Sequence, residues 1–585
     1  MIRSLRLLSV FLAGALLVTG CDGGLADLDV ENTNDPIRSD VQQSPDDIKG
    51  LLAGGTTGAL QETVSDWGVH MDLMADQTTS TNAFRSFWSR ATEPRDPIDN
   101  RPTAATPEIF ADPWSSFNQA QGTANEILRL TEGGFTIDGD NKTTKFRASA
   151  YFLRGIARGY IGMIYDRGYV VEPGTDPLDT DPTQVEAQPY GAVIDAGVAD
   201  LEKAIEMIEK NDSFTWDFLL GNTYTSAELE EIAHSYAARI MMAKARTRSE
   251  ARNYSDEYLD RIIAHANDGV GSGGLLPSFS PASVNGDFYN QNADWSSFVV
   301  AGPSGYLPVD IKVQKLLDPS FPTQYPDQGV LGPVSSPDPR AGYFLYTDAF
   351  GFLSAARNRN LFSNYFHLRH DGGNLWFARS GDAVVMATGA EMQYLKAEAN
   401  LLKGNKPAAE AALEDSPFGT EPVELTNNLP VVRGEAFFSV FWPFSGNGTA
   451  AGRDISASAS DAEFIRALHT EYAVELFLMG GVGSQWYFMR RHGLLQEGTA
   501  QHYPLPGKEI QITNTELYTF GGVGNAGESG TAPGGPNSWK NFDATYGITS
   551  PVGYSSGAAE KSRDPLNLEK VLDGEPQLPA RAGNQ

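Results

Sequence analysis

The chain has 585 residues, of which 41% are hydrophobic and 10% aromatic, so it is long enough to bury one large core or two. Its 74 acidic and 44 basic residues give a net charge of −30, which argues against nucleic acid and anionic lipid surfaces as partners, because basic patches bind both. The single cysteine excludes an intramolecular disulfide, so stability must come from a packed core.

The first residues are typical of a secretory signal peptide. Arg3 and Arg6 are the only charges before Cys21, and residues 7–18 form an apolar run of about a dozen residues, too short to span a bilayer permanently. The following letters, VTGC, resemble a lipobox, in which the chain is cut before a cysteine that is lipidated. We therefore expect residues 1–20 to be removed and Cys21 to carry the acyl chains of a membrane anchor. The alternative is an unmodified thiol near an ordinary cleavage site.

A polar tether and then helices follow the cysteine. Residues 27–40, DLDVENTNDPIRSD, are rich in Asn and Asp and aperiodic, so residues 21–43 are predicted to form an extended tether. Ser44 and Pro45, followed by two acidic residues, are typical of a helix start. In residues 143–166 an apolar stripe at helical spacing lies beside a row of small residues, which favours close contact with a neighbouring helix.

Further helices are predicted from the same periodicity. They cover residues 190–209, 226–246, 256–266, 390–403 and 461–479. The stretch EMQYLKAEANLLKGNKPAAEAALE has the Ala, Leu and Gly placement of a helix, tight turn, helix unit like a tetratricopeptide repeat. The sequence therefore predicts stacked helical hairpins.

Two regions have a different composition. In residues 269–386 the long periodic segments give way to Gly, Pro, Ser, Asn and aromatic residues, and long irregular stretches of this kind tend to be binding surfaces. Residues 496–585 form a second loop-rich part. We therefore expect a single domain over residues 44–585, with its helical scaffold in about 44–268 and 387–495 and a binding insert between them.

No short motif nominates an active site. GYSSG, residues 553–557, matches the nucleophile elbow of hydrolases, but all eight histidines precede it and no strand-like run leads into it. GVGSGG and GVGNAG, residues 269–274 and 522–527, match G-x-G-x-x-G without opening a helix. His367 and His370 in HLRH lack further ligands, and DPLDTDP is predicted to be a turn-rich loop rather than a calcium site. We expect no catalytic residue, no metal site and no cofactor.

Four segments resemble, in order, the landmarks of one protein family. They are ASAYFLRGIARGYIGMIYDRGYVV, MATGAEMQYLKAEANLLKGN, LHTEYAVELFLMGGVGSQWYFMRRHG and HYPLPGKEI. With the lipobox and the DLDVENTNDP segment, they are similar to the SusD/RagB family of outer-membrane nutrient-binding lipoproteins. Joined to the helical periodicity, the resemblance implies a mostly α, SusD-like fold: a tetratricopeptide-like helical-hairpin scaffold with long irregular loops and few short strands.

The chain departs from the family pattern at one landmark. The family usually has an Arg before the landmark Trp486 and an Asp two residues after it, where this chain has Gln485 and Phe488. These differences bear on a buried ion pair and not on the fold. Glu391 and Glu398 of another landmark are retained. Five landmark residues are expected to pack in the core or cap helices: Tyr151, Phe152, Glu471, Glu475 and Trp486.

The resemblance places ligand binding outside these landmarks, in aromatic loops. The segments TTSTNAFRSFWSRATEPRDP and DFYNQNADWSSF are rich in aromatic and polar residues without helical amphipathicity. Aromatic faces suit the C–H faces of sugar rings, while neighbouring polar groups can bond hydroxyls. We expect Trp88 and Trp295 to be the main platforms, with Tyr289 and Arg85 supporting them and Trp376 in reserve. The alternative for each aromatic residue is a place in a minor core.

The resemblance implies a non-catalytic lipoprotein of the outer membrane, at the cell surface, that binds an oligosaccharide or another nutrient, whether glycan or peptide. It also implies delivery of this ligand to a SusC-like TonB-dependent transporter, with no nucleic acid partner. The alternative is a secreted hydrolase, a helical-scaffold glycosidase using a carboxylate pair about 5 to 10 Å apart. The lack of a defensible catalytic constellation favours the binding protein.

Overall fold

The structure is a computed structural model, and it describes the chain in a series of ranges. The described residues are 45–63, 65, 67–80, 86–133, 140–173, 186–219, 222–271, 275–279, 307–322, 334, 336, 338, 340–341, 344–346, 363, 365–367, 384–414, 455–477, 483–521 and 529–533. The chain divides into a short unit, residues 1–50, and a main unit, residues 51–585. Of the short unit, only residues 45–50 are described, and they are helical.

Helices dominate the described residues. In chain order they are α1 (Pro45–Glu62), α2 (Trp67–Met74), α3 (Phe87–Ala91), α4 (Glu108–Glu132), α5 (Asp140–Ile164), α6 (Tyr190–Glu209), α7 (Ser226–Met242), α8 (Arg248–Arg252), α9 (Asp256–Asp268), α10 (Ile311–Leu317), α11 (Gly389–Leu402), α12 (Lys406–Glu414), α13 (Asp461–Val474), α14 (Ser484–His492) and α15 (Gly507–Ile512). None of these helices is both long enough and apolar enough to cross a membrane.

The strands of the described residues are short and form antiparallel pairs. The pairs are β1 (Arg167–Gly168) with β2 (Gln188–Pro189), β3 (Thr215–Leu219) with β4 (Asn222–Thr225), β5 (Leu275–Phe279) with β8 (Val384–Thr388), and β6 (Phe344–Tyr346) with β7 (Tyr365–His367). The β5–β8 pair joins the two ends of the loop-rich region, and α10, within that region, packs on α13 of the scaffold.

The first half of the scaffold is a stack of helices in which α4 packs on α5, α5 on α6 and α6 on α7. Glycines make the α5–α6 contact unusually close. A Cβ placed on Gly197 of α6 would lie 2.6 Å from the backbone nitrogen of Gly159 in α5, and one on Gly155 would lie 2.7 Å from Cγ of Leu201. The row of small residues predicted in residues 143–166 is therefore confirmed as a helix-packing surface.

The second half contains the predicted helical hairpin. Helices α11 and α12 pack together across a tight turn at Gly404, whose φ of +76° is a conformation that glycine adopts without strain. Helix α9 packs on α7 and α11, and α13 packs on α11 and α14. The fold is therefore mostly α and tetratricopeptide-like, as predicted.

Two predicted helices end earlier in the structure. Helix α7 ends at Met242 rather than at residue 246, because the Tyr254 hydroxyl accepts the Ala245 N–H at 2.5 Å and lies 3.2 Å from the Met242 carbonyl. Helix α13 ends at Val474 rather than at residue 479, before the glycine-rich segment GGVG. Helix α6 has the predicted bounds, whereas the 25-residue helix α4 was not predicted.

Four of the five landmark residues lie in the core as expected. Phe152, Trp486, Glu471 and Glu475 are buried, with exposed fractions of 5% or less. Tyr151 is the exception, since it is only half-buried and its hydroxyl reaches Glu132 at 3.4 Å. Tyr151 precedes the buried Phe152 in α5, so its side chain lies about 100° round the helix and is partly exposed to solvent.

Candidate ligand-binding site

Trp88 is the one predicted ligand-binding residue that falls within the described residues. It lies in the short helix α3 and is half-buried. The other predicted residues, like the predicted anchor, lie outside the described residues: Arg85, Tyr289, Trp295, Trp376 and Cys21.

Helix α3 fixes the direction of Trp88 through its neighbours in sequence. Ser86, at the start of the helix, has a left-handed backbone with φ of +59°, and its carbonyl accepts a 2.7 Å bond from the Ser89 hydroxyl. Phe87 is fully buried, and its ring centre lies 5.3 Å from that of His70 in α2. Because Phe87 anchors one side of the short helix, Trp88 is held about 100° further round, at the rim of the core.

Arg95 attaches the segment after α3 to the rest of the molecule. Its buried guanidinium donates to the carbonyls of Arg90 at 3.0 Å and Met74 at 3.1 Å. It also donates to Thr499 Oγ1 at 3.1 Å and to Asp76 Oδ1 at 2.8 Å. The carboxyl end of α3 is therefore tied to the end of α2 and to a loop more than 400 residues further along the chain.

Asp76 is the centre of this attachment. Its carboxylate accepts bonds from Arg95, from Lys312 at 3.3 Å and from the Gln496 amide at 2.9 Å, and both Lys312 and Gln496 also bond Glu93. Burial alone would raise the pKa of Asp76, but the charges of Arg95 and Lys312 outweigh it and hold this pKa below its ordinary value. A network of mostly buried ionic bonds thus fixes the segment that directly follows α3, the helix that contains Trp88.

Beneath α3 lies a polar part of the core. His70 is buried with both ring nitrogens lacking a hydrogen-bond partner among the described residues, and burial, with the nearby charge of Arg90, holds its pKa well below the ordinary value. The carboxyl of Asp72 in the same helix accepts the Gly483 N–H at 3.0 Å. Burial raises the pKa of Asp72 to about 7.

Carboxyl groups with raised pKa values matter for the glycosidase alternative, which needs a proton donor that reaches the substrate. Burial raises the pKa of both Asp72 and Asp310 to about 7, yet each residue is only 3% exposed. Burial also raises the pKa of Glu62 to about 7, and this carboxyl accepts a 3.2 Å bond from the Ser65 hydroxyl. The first two groups are enclosed in the core, where Asp72 accepts the Gly483 N–H and Asp310 caps the start of α10.

Sequence reasoning missed the residues that support Trp88. Arg95 lies in the aromatic segment that was singled out, but Arg85 was chosen there. Asp76, Lys312 and Gln496 are separated by hundreds of residues, and no spacing rule connects them. The one local signal is the polar run of residues 76–80, which is buried although it contains Asp76, Gln77 and Thr78.

Comparison with known proteins identifies the architecture. No protein-family model and no curated protein matches the chain. Among solved structures, a SusD superfamily protein from Bacteroides vulgatus ATCC 8482 matches with a TM-score of 0.52 at 12% sequence identity, over 81% of this chain and 98% of that one. This chain has the SusD fold.

Other solved structures match with lower scores. A SusD superfamily protein from Bacteroides fragilis has a TM-score of 0.49 at 14% identity, over 82% of this chain and 100% of that one. A SusD-like carbohydrate binding protein from Bacteroides vulgatus ATCC 8482 has a TM-score of 0.46 at 16% identity, over 75% of this chain and 82% of that one.

Gln485 and Phe488, the two residues at which the chain departs from the family pattern, are buried and form no ion pair. The Gln485 amide donates to the Ala75 carbonyl at 3.0 Å, and the Phe488 ring stacks on that of Tyr472 with 4.6 Å between centres. An amide bond and a ring contact thus occupy these two positions.

The retained landmark acids do form buried ion pairs. Glu391 accepts two 2.6 Å bonds from Arg239. Glu398 accepts bonds of 2.5 and 2.7 Å from Arg491 and one of 2.8 Å from His492. Burial alone would raise the pKa of Glu398, but Arg491 and His492 lower it to about 2. These pairs connect α11 to α7 and α14.

Proposed function

We propose that this protein belongs to the SusD/RagB family and is a non-catalytic lipoprotein of the outer membrane. It binds an oligosaccharide or another nutrient at the cell surface and delivers it to a SusC-like TonB-dependent transporter. The observation that carries the proposal is the SusD fold, which extends over 98% of a solved SusD superfamily protein. The ordered sequence landmarks and the lipobox at Cys21 support the same assignment.

The proposed organisation follows the sequence. Residues 1–20 are a lipoprotein signal peptide, and residues 21–43 are a tether behind the acylated Cys21. Residues 44–585 are one SusD-like domain, whose loop-rich insert, residues 269–386, contributes to ligand binding.

Trp88 is the one proposed platform whose surroundings the structure describes. Helix α3, which contains Trp88, is held by the buried Phe87 and by the Arg95–Asp76 network. Ligand binding therefore requires little additional ordering of this helix. A ring at the rim of the core offers apolar area at about 25 cal/mol per Å² buried without a deep cavity. Such contacts give the modest affinity that suits a nutrient which must be released again. Four further residues are proposed to complete the site: Trp295, Tyr289, Arg85 and Trp376.

Calorimetry of wild type and Trp88→Ala against a panel of glycans and peptides tests this site. We expect a ligand from the panel to bind wild type in the micromolar to millimolar range. Trp88→Ala should weaken this binding about tenfold or more, which corresponds to about 1.4 kcal/mol, because the ring contact is lost.

Trp88→Phe is the matched control, since it keeps an aromatic face and should retain most of the affinity. Circular dichroism must show that both variants are folded. Equal affinity of Trp88→Ala and wild type for the bound ligand would show that Trp88 does not bind the ligand and only packs in the core. In that case Trp295→Ala tests the second proposed platform in the same assay.

A further inference from the structure

Lys312 links the loop-rich insert, residues 269–386, to the network around Asp76. It lies in α10, within the insert, and its side chain is 1% exposed. The ammonium nitrogen lies 3.3 Å from Asp76 Oδ1 and 3.6 Å from Asp310 Oδ1, and it also bonds Glu93 Oε1. One cation thus holds three carboxylates, which follow α2, follow α3 and precede α10.

The backbone of the insert is joined directly to the segment after α2. The Thr79 N–H donates to the Pro308 carbonyl at 2.9 Å, and the Asp310 N–H donates to the Gln77 carbonyl at 3.0 Å. Because these two bonds fix the start of α10, they also fix the point from which the Lys312 side chain extends. Burial alone would lower the pKa of Lys312, but the three carboxylates raise it above its ordinary value, so the side chain is a cation.

Glu93 connects this cation to Trp88. It lies just after α3, and the preceding residue, Thr92, donates its N–H to the Trp88 carbonyl at 3.0 Å. The Thr92 hydroxyl lies 3.4 Å from the same carbonyl. Glu93 keeps 23% of its side chain exposed, and without Lys312 its remaining described partner is the neutral Gln496 amide. Loss of the ammonium therefore frees this carboxylate to turn to water.

Two backbone conformations indicate that this arrangement has a function. Asp76 and Ser86 have φ of +57° and +59°, in the left-handed region that is unfavourable for residues with a side chain. Among the described residues, one other non-glycine residue, Asn514, has a positive φ. Such conformations persist where surrounding bonds hold them, and they cluster in ligand-binding segments. Ser86 directly precedes α3 and Asp76 bonds Lys312, so both belong to the support of Trp88.

We propose that Lys312 is a positioning residue for Trp88. Its ammonium holds Glu93 and Asp76 together and thereby fixes the direction of α3 relative to the insert. The proposal rests on the proposed function of Trp88 as a ligand platform, and it adds that the insert sets the position of this platform. A ligand then meets a ring that is already in place, which limits the ordering cost of binding. The competing arrangement is a lysine that stabilises the fold and leaves the direction of Trp88 unchanged.

Fluorine NMR of protein labelled with 5-fluorotryptophan tests the position of Trp88 without a ligand. The chain has nine tryptophans, and the variants Trp88→Phe and Trp216→Phe each identify one resonance by its absence. Lys312→Met keeps the apolar stem and removes the ammonium. We expect it to shift or broaden the Trp88 resonance. The resonance of Trp216, which packs on Phe152 in the scaffold, should stay in place.

Glu93→Gln is a milder variant that removes the charge held by Lys312. We expect it also to shift or broaden the Trp88 resonance, because the segment after α3 loses its ionic bond. Glu172→Gln is the matched control. Glu172 is likewise a partly exposed carboxylate bonded by buried cations, which are two arginines of α5. Its substitution should leave the Trp88 resonance unchanged.

Calorimetry with a ligand that binds through Trp88 tests the consequence for affinity. Lys312→Met should weaken this binding about threefold to tenfold, because the ring then has to be ordered on binding. In the Trp88→Ala background the same substitution should have no further effect, since Lys312 acts through the ring. If no ligand of the panel binds through Trp88, the proposed platform is wrong, and the fluorine spectra alone decide whether Lys312 positions the ring.

Two results overturn the proposal. The first is an unchanged Trp88 resonance in both Lys312→Met and Glu93→Gln. The second is an equal loss of affinity on Lys312→Met in wild type and in Trp88→Ala. If Lys312→Met does not fold, Glu93→Gln and its control Glu172→Gln decide in its place, and equal spectra of these two variants overturn the proposal.

Discussion

Buried charges in this fold have partners from distant parts of the sequence. Arg340 is fully buried and donates to both oxygens of Glu471 at 2.7 and 2.6 Å, and Glu398 is held by Arg491. Removing one partner of such a pair leaves an uncompensated buried charge, which typically costs about 3 to 5 kcal/mol. Asp72 differs from these residues, because its described bond is to a backbone N–H and, among the described residues, no cation offsets its burial.

Asp72 should therefore make the protein less stable as the pH rises. Its pKa is about 7 in the folded state and about 4 in an unfolded chain. Below pH 4 both states are protonated and carry no penalty. Between pH 4 and 7 the unfolded state ionises first, so the free energy of unfolding falls, by an amount on the order of 4 kcal/mol. Asp72→Asn keeps an oxygen for the Gly483 N–H but does not ionise.

The measurement is the free energy of unfolding of both proteins by urea between pH 4 and 8. Asp72→Asn should match wild type near pH 4 and become progressively more stable than wild type up to pH 8. Asp260→Asn, at an exposed position of α9, removes the same charge without burial and should give a curve nearly parallel to wild type. Parallel curves for wild type and Asp72→Asn would show that Asp72 is not a source of the pH dependence.

At the level of single residues, the sequence predicts burial better than it predicts partners. Phe152 could be placed in the core because apolar side chains at helical spacing need no knowledge of the rest of the chain, whereas Trp486 was placed there as a landmark residue. The network around Asp76 could not be predicted, because Arg95, Lys312 and Gln496 meet only after the helices have packed. The support of Trp88 is therefore known only from the fold.

Helices with an apolar face could be predicted from the sequence, whereas a helix whose buried face is polar could not. Helix α4 was not predicted because Pro113 lies within its sequence and Gln121 and Asn125 lie on its buried side. The Gln121 and Asn125 amides accept bonds of 2.8 Å from Arg158 and Arg154 of α5. In α4, long-range hydrogen bonds thus hold the helix against its neighbour, as an apolar stripe does in the other helices. A local hydrophobic pattern cannot reveal these bonds.

Gly197 should be intolerant of even one methyl group, because the α5–α6 contact is between backbones. A Cβ there would lie 2.6 Å from Gly159 N and 3.0 Å from Gly155 O, and neither atom can move without shifting the helix. We expect Gly197→Ala to lower the free energy of unfolding by about 1 to 3 kcal/mol in urea. Gly122→Ala in α4, where no atom lies within 4 Å, should instead add about 0.5 to 1 kcal/mol. Equal effects of the two substitutions would contradict close α5–α6 packing.

The whole molecule combines a large acidic domain with a proposed anchor at one end. The net charge of −30 does not favour attraction to an anionic membrane surface, so the proposed attachment relies on the lipid. A single acyl chain holds a protein only marginally, whereas two or more chains hold it stably. The chain carries one cysteine, so the proposed lipid attachment depends on a single residue.

Cys21→Ala should therefore release the protein from membranes. We expect wild type, expressed in a bacterium that processes lipoproteins, to sediment with the outer membrane after a high-salt wash and to incorporate labelled fatty acid. Cys21→Ala should lose the label and, in a host without the SusC-like transporter, leave the washed membrane, because the proposed lipid attachment is lost. Trp88→Ala is the matched control, since it should stay labelled and membrane-bound. Retention of washed Cys21→Ala in the membrane, or label on it, would rule out Cys21 as the anchor.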